Sequence, residues 1–247
     1  MTAAVTIDNL AKVFGGLRAV DGVSLAVAAG ERRALIGPNG AGKTTLFHCA
    51  TGTLLATSGS IKLFGNDVTY LPEHQRTKLG MGRTFQITNV FTDLSLGENL
   101  ALAIVGTDRR KWIWTRPLDS FFDIRAQALT GLEAVGLRDR VDDPVKLLSY
   151  GERRQLELAL ALNTNPKVLF LDEPCAGLSP SERQRIFGMI RALPREITVV
   201  MIEHDMDVAL GLADRVTVMN RGSVMAEGTP DEVQSDPKVR DVYFGHV

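Results

Sequence analysis

Residues Gly37-Pro38-Asn39-Gly40-Ala41-Gly42-Lys43-Thr44 follow the pattern GxxxxGK[ST]. Glycines let such a loop turn at positive φ and leave its backbone N–H groups bare, so that they converge on phosphate oxygens at the positive end of the following helix. Lys43 adds a point charge for β- and γ-phosphates, the Thr44 hydroxyl is a ligand for the Mg2+ that bridges them, and Thr45 stands on the α-phosphate side. The chemistry expected is nucleotide binding.

Three further groups suit the same substrate. Leu171-Asp172-Glu173-Pro174 ends an apolar run with adjacent carboxylates, and ligands of open α/β sheets sit at the carboxyl ends of strands. Asp172 would hold Mg2+, mostly through water, while Glu173 would take a proton from the water attacking a γ-phosphate, a general-base contribution of about 10²–10⁴-fold. His204, in Ile202-Glu203-His204-Asp205, follows the next apolar run at the same edge. Leu148-Ser149-Tyr150-Gly151-Glu152 precedes an amphipathic stretch, and Ser149 with Glu152 has the spacing of a capping box. Ser149 and Gly151 also offer a hydroxyl and a bare N–H at a helix N-terminus, an anion site suited to a γ-phosphate held by another subunit. Glu152 is negative beside that site, so its side chain is predicted to turn back and cap at Ser149.

Positioning these groups takes a particular run of elements. Val5 to Leu10 and Val23 to Val27 alternate as half-buried strands do, so the first thirty residues read as sheet. Arg33 to Ile36 is a short strand entering the glycine loop, and Lys43 to Thr51 a helix that Gly52 stops. Residues 60 to 65 alternate again, whereas 95 to 162 is dominated by helix-forming stretches with breaks expected at Gly106, Pro117, Gly131 and Pro144. Val168 to Leu171 and Ile197 to Ile202 are continuously apolar, like strands of a parallel sheet buried on both faces. Between them a helix begins at the capping box Ser179-Pro180-Ser181-Glu182 and runs to about Leu193. Two β runs flank the turn Asn220-Arg221-Gly222, and a short helix follows near 230–234. This is a doubly wound α/β pattern with a helical insertion.

With 247 residues, 45% of them hydrophobic, the chain can bury a substantial core, which excludes a disordered tail or a disulfide-stapled miniprotein. Its 28 basic and 29 acidic side chains give a net charge of -1, so no nucleic-acid partner is expected. Cys49 and Cys175 form neither a disulfide framework nor a metal-ligand spacing, which suits a reducing cytoplasm. Met1 to Asp8 lacks the pattern of a secretory leader and no run reaches the ~18 apolar residues of a membrane span, so the chain by itself is expected to be soluble.

In their order these motifs resemble those of the ATP-binding cassette (ABC) ATPases. Gly37 to Thr45 resembles Walker A, Gln86 the Q-loop, Leu148 to Glu152 the signature, Val168 to Glu173 Walker B and His204 the switch histidine. Gly151 lies 21 positions before Asp172 and His204 lies 32 after it, spacing that supports the likeness over essentially the whole chain. More narrowly, Val13-Phe14-Gly15-Gly16, Gly82-Arg83-Thr84-Phe85-Gln86, Ala176-Gly177-Leu178-Ser179-Pro180, Ile202-Glu203-His204-Asp205-Met206 and Val242-Tyr243-Phe244-Gly245 resemble ATPase subunits of branched-chain amino acid importers. Urea and short-chain amide importers are similar.

The resemblance implies an α/β fold with a P-loop NTPase (RecA-like) core. That core, about 1–86 and 163–247, carries an N-terminal antiparallel β subdomain, and an α-helical subdomain, about 87–162, is inserted in it. It implies ATP and Mg2+ as cofactors and ATP hydrolysis coupled to uptake of branched-chain or related amino acids. The implied partners are integral membrane permease subunits, a second ABC ATPase, identical or related, in a head-to-tail dimer, and indirectly an extracytoplasmic solute-binding protein. The implied location is cytoplasmic, peripheral on the inner face of the membrane. Gln86 would contact Mg2+ and relay closure to the permease. Phe14 would stack on adenine, a contact worth ~1–3 kcal/mol by analogy with other base stacking, the alternative being a core ring. The chain departs from the family pattern at Tyr150 for glycine, Glu152 for glutamine and Ser179 for aspartate.

Two rival classes share the phosphate loop. Soluble cassette ATPases of DNA repair or translation insert a coiled coil between motifs or join two cassettes, and no heptad run interrupts the 129 positions from Lys43 to Asp172. A small-molecule kinase or GTPase gives no reason for Leu148 to Glu152. Arg109-Arg110-Lys111-Trp112-Ile113-Trp114, followed by Phe121-Phe122, is either a membrane or permease contact or a solvated basic edge. Cys175 reads as a small buried residue.

Overall fold

The computed structural model describes residues 3–84, 90–107 and 122–244. Phe85 and Gln86, the basic aromatic run 109–114, Pro117, Phe121 and Gly245 lie outside the described residues.

Strands β1 (Ala3–Phe14) and β2 (Leu17–Ala28) pair antiparallel. Strand β4 (Ser58–Leu63) pairs with the other edge of β1 and β5 (Asn66–Asp67) with β4, giving a sheet ordered β2-β1-β4-β5. A second sheet comprises β3 (Arg32–Ile36), β6 (Met81–Arg83), β7 (Val168–Asp172), β8 (Thr198–Ile202), β9 (Arg215–Asn220) and β10 (Ser223–Gly228), in the order β10-β9-β3-β8-β7-β6. Its pairings are parallel except that of β10 with β9.

Alternate residues of the central strands enter opposite cores. Ala34, Ile36, Leu169, Leu171, Val199 and Met201 pack with the helices α3 (Leu96–Thr107), α4 (Phe122–Ala134), α5 (Tyr150–Leu162), α6 (Pro180–Ala192) and α7 (Met206–Leu212). Leu35, Val168, Phe170, Val200 and Ile202 pack with Leu46 and Phe47 of α1 (Lys43–Thr51) and with β1, β2 and β4. Covered on both faces, these strands have no polar side to show, hence the unbroken apolar runs in the sequence.

The break expected at Gly131 is absent. Gly131 lies inside α4, where an added Cβ would stand 2.8 Å from Leu100 Cδ2, so the missing side chain lets α3 and α4 approach closely instead of ending a helix. Gly106 is the next-to-last residue of α3, which ends at Thr107, the last described residue of that segment. Pro144 does interrupt, opening a 3-10 turn over Val145–Leu147 before α5. Three short elements have no clear periodic signal: α2 (Glu73–Lys78), β6 and α9 (Pro237–Phe244), the last following α8 (Pro230–Ser235). Among the described residues no helix is long and apolar enough to cross a membrane.

Candidate active site

The chain leaves β3 at Ile36 and enters the glycine loop. Two positions there need glycine: a Cβ on Gly37 (φ 149°) would lie 2.2 Å from the Met219 carbonyl oxygen, and one on Gly42 (φ 98°) 2.3 Å from that of Ala19. Helix α1 then starts with no side chain capping its N-terminus, so its positive end is open to an anion. Its other end is satisfied within the chain. Gly52 returns its N–H to the carbonyls of His48 and Cys49, and buried Arg76 donates to those of Cys49 and Ala50 at 2.8 and 2.7 Å. Burial pushes that guanidinium down to about 10. Lys43 folds over its own loop, its Nζ donating to Gly37 O at 2.7 Å and Pro38 O at 3.0 Å. Burial lowers the Lys43 ammonium, an effect opposed by the charge of Glu173.

A cleft of about 610 Å³ lies over this loop, lined by Phe14, residues 39–45 and His204. Phe14 is 46% exposed, so it is not a core ring, and Lys12 Nζ stands 5.0 Å from its centroid. Leu17, Arg18 and Arg221 also line the cleft and belong to no motif that would have singled them out.

Asp172 closes β7 and is wholly buried, yet neither of its carboxylate oxygens has a hydrogen-bond partner. His48 Nε2 on α1 comes within 3.9 Å of Oδ2. Burial raises the Asp172 pKa, Glu173 adds to the rise, and Arg83, Arg154 and His204 oppose it. A desolvated carboxylate without a donor is unfavourable until a cation arrives, and this orphaned pair of oxygens fits a divalent ion. Among the described residues no three His, Cys, Asp or Glu side chains form a cage, so phosphate, water and a hydroxyl such as that of Thr44 would complete the coordination.

Glu173 follows at φ 49°, a left-handed backbone that costs a non-glycine residue on the order of 1 kcal/mol. Its N–H is held by Ile202 O at 3.0 Å and its C=O by Ala176 N at 3.1 Å. Its Oε1 lies 2.7 Å from His204 Nε2, at the end of β8. Strand ends β3, β7 and β8 therefore bring Lys43, Asp172, Glu173 and His204 to one edge. Glu203, quoted in the His204 motif without a role of its own, is buried and accepts from Cys175 N at 3.2 Å; burial pushes it up to about 7. The buried Cys175 thiol is pushed up to about 12 by burial and by Glu203, as suits an inert packing residue.

Helix α5 begins with the expected capping box: Glu152 N donates to Ser149 Oγ at 3.2 Å and Ser149 N to Glu152 Oε2 at 2.8 Å. Sequence reasoning missed the second partner of that carboxylate, Arg140, at 2.5 Å from Oε1 and also bonded to Asp143 at 2.7 Å. Burial raises the Glu152 pKa, but hydrogen bonds from Ser149 and Arg140 outweigh it and leave the carboxyl below its ordinary value. Tyr150 Oη donates to Ala176 O at 3.3 Å while Arg154 donates to Tyr150 Oη at 3.0 Å, so this departure ties the α5 start to the turn after β7. Ser149 and Gly151 are not among the residues lining the cleft, and Gln86 lies outside the described residues.

A parallel sheet, a glycine loop entering a helix and acidic strand ends beside it define a P-loop nucleotide hydrolase. Comparison with known proteins narrows this. Residues 20–176 match the ABC transporter family model and residues 223–247 that of the branched-chain amino acid ATP-binding cassette transporter. The chain is 38% identical to the high-affinity branched-chain amino acid transport ATP-binding protein LivG of Salmonella typhimurium, covering 98% of this chain and 97% of that one. Identity to BraF of Pseudomonas aeruginosa, which carries the same description, is 37%, covering 97% and 96%. MJ1267 in its ADP conformation, an ATP-binding cassette of an ABC transporter, superposes with a TM-score of 0.86 at 33% identity and full coverage of both chains. The chain belongs to the ABC transporter family as an ATP-binding cassette ATPase.

Proposed function

We propose that this chain powers an importer of branched-chain or related amino acids, acting on permease subunits in the membrane from a peripheral position on its cytoplasmic face. The observation that carries the choice of solute is the match of its C-terminal residues 223–247 to the branched-chain amino acid cassette model. A second cassette ATPase, identical or related, completes the machine, and an extracytoplasmic binding protein delivers the solute.

In this reading the loop from Gly37 to Thr45 cradles the triphosphate, Lys43 leaves its own carbonyls for the β- and γ-phosphates, and Phe14 offers its ring to adenine. Mg2+ would be held by Thr44, Asp172 and Gln86, and would neutralise charge on the phosphates. Glu173 accepts a proton from the attacking water as the water oxygen bonds the γ-phosphorus and the bridging oxygen leaves with ADP. His204, 2.7 Å from Glu173, holds that carboxylate in place and faces the γ-phosphate. Ser149 and Gly151 serve the ATP bound by the partner subunit. Moving an open dimer from 1:99 to 99:1 closed takes ~5.5 kcal/mol of differential binding, which two sandwiched nucleotides supply.

The test is affinity capture of the tagged chain from detergent-solubilised membranes of its source, with uptake of labelled leucine and of urea in cells whose copy carries Glu173→Gln. Co-purification of two integral membrane proteins and loss of leucine uptake are expected. Loss of urea uptake with leucine uptake intact would reassign the solute. Capture of only ribosomal or DNA-associated proteins would end the transport reading.

A further inference from the structure

Three consecutive residues after β8 reach across to the segment that follows β7. His204 Nε2 lies 2.7 Å from Glu173 Oε1. The residue before it, Glu203, accepts from Cys175 N through Oε1 at 3.2 Å. The residue after it, Asp205, accepts from Arg183 Nη1 on α6 through Oδ2 at 2.5 Å, while its Oδ1 caps α7. The two flanking contacts differ in burial. Glu203 is 3% exposed, whereas the side chains of Arg183 and Asp205 are 42% and 34% exposed, so solvent screens the second contact. Within the turn, Glu173 N donates to Ile202 O, Pro174 has no N–H, and Ala176 N donates to Glu173 O. Of the N–H groups of 173–176, that of Cys175 is the one a side chain takes.

We infer that Glu203 is a positioning residue for hydrolysis: by holding the Cys175 N–H it fixes the turn that sets the Glu173 carboxylate against His204. The inference rests on the reading of Glu173 as the base and His204 as its holder, and adds to it a group that fixes their geometry. A left-handed residue such as Glu173 persists only where its surroundings over-determine it, and the Glu203 bond acts two positions further along the same turn. Without an acceptor the buried Cys175 N–H is orphaned, and the turn shifts to relieve it. A displacement of about 1 Å at a reacting group can cost on the order of 10²-fold in rate. Burial of a carboxyl is itself unfavourable, and an apolar side chain would fill the place without that cost. Neutral and ionised carboxyl groups both keep an acceptor oxygen, so the contact needs the oxygen rather than the charge.

The experiment compares the full chain with three variants: Glu203→Met, which fills the space without an acceptor, Glu203→Gln, which keeps one, and Glu173→Gln. Steady-state ATP hydrolysis gives kcat and KM, and equilibrium dialysis gives MgADP affinity. Glu203→Met is expected to lower kcat about tenfold while KM and MgADP affinity stay within about twofold of the parent. Glu203→Gln is expected to restore kcat to within about twofold. A parental kcat in Glu203→Met, equal losses in both Glu203 variants, or a fall in MgADP affinity matching the fall in kcat would each overturn the inference. Should Glu203→Met not fold, Glu203→Gln decides: near-parental kcat upholds the acceptor role and a tenfold loss overturns it. Near-normal turnover in Glu173→Gln would overturn the base reading and this inference with it, whereas an inactive Glu173→Gln beside a fully active Glu203→Met overturns this inference alone.

Discussion

Two helices of this chain begin beside places for an anion, and they begin in opposite states. The start of α1 has no side-chain cap, and next to it Asp172 is buried with both oxygens unpartnered. The start of α5 is capped by its own chain: Ser149 and Glu152 cap each other, and Arg140 neutralises Glu152. A missing N-cap costs about 1 kcal/mol and an unpaired buried carboxylate more, so the first region carries its cost until nucleotide arrives. The second carries less of it, and the Ser149 hydroxyl is already engaged within its own chain. On the proposed reading, nucleotide capture at α1 and engagement at α5 are separable steps, and substitutions should affect one without the other.

The largest effect tests the first region's chemistry. Glu173→Gln keeps the shape and the contact with His204 but removes the base, so steady-state ATP hydrolysis should fall by about 10²–10⁴-fold, with ATP binding by equilibrium dialysis retained. Near-normal turnover would take the base role from Glu173. Next in size, Lys43→Ala deletes the ammonium proposed to face the phosphates, and nucleotide affinity should drop on the order of 10–100-fold, as expected for a lost charge-assisted bond of ~1.5–3 kcal/mol. Unchanged affinity would contradict the assignment of the loop.

The first region was largely legible in the sequence, and the second only in part, for a physical reason. Residues 37–44, Asp172, Glu173 and His204 are placed by backbone geometry set by neighbours in the chain, so their pattern is local. The contacts of Glu152 with Arg140 and of Tyr150 with Ala176 join segments 12 and 26 positions apart, and periodicity says nothing about such pairs. The strands followed the same rule. β3, β7 and β8 announced themselves by unbroken apolar runs, whereas β6, three residues long, is a strand only because β7 lies beside it. Gly131 misled because a glycine that ends a helix and one that lets two helices touch read alike in sequence.

A third substitution sets the cost of the open region against its function. Asp172→Asn removes a buried charge whose pKa is raised in the folded chain. The sign follows: an acid with a raised folded pKa favours folding when protonated, and that contribution is lost as pH rises through the folded pKa. At neutral pH the native aspartate is therefore a liability. The asparagine variant should be more stable without nucleotide by roughly 1 kcal/mol, about 2–4 °C in Tm for a chain of this size, and its advantage should shrink on acidification. Its Mg2+-dependent hydrolysis should be lost. A variant less stable than the parent in the absence of nucleotide would mean that Asp172 has a favourable partner within the fold.

The smallest expected effect probes the closed region through Arg140→Ala. The pair Arg140–Glu152 is about a quarter to a third exposed, so solvent screening limits its loss to at most ~1 kcal/mol of stability. Because Glu152 is held below its ordinary value, its contribution is present above the unfolded pKa, ~4.3, and fades as pH falls through the lower folded value. Parent and variant should thus converge in Tm in acid. The functional effect should exceed the stability effect, because an unneutralised Glu152 leaves a negative charge at the start of α5, where the partner's nucleotide would approach on the proposed reading. MgATP-driven association should weaken severalfold and recover with salt, since ions screen exposed charges over a Debye length of ~8–10 Å. MgADP binding at α1 should not move. A change in ADP affinity equal to the change in association would mean that the two helix starts are one cooperative unit even before the subunits meet.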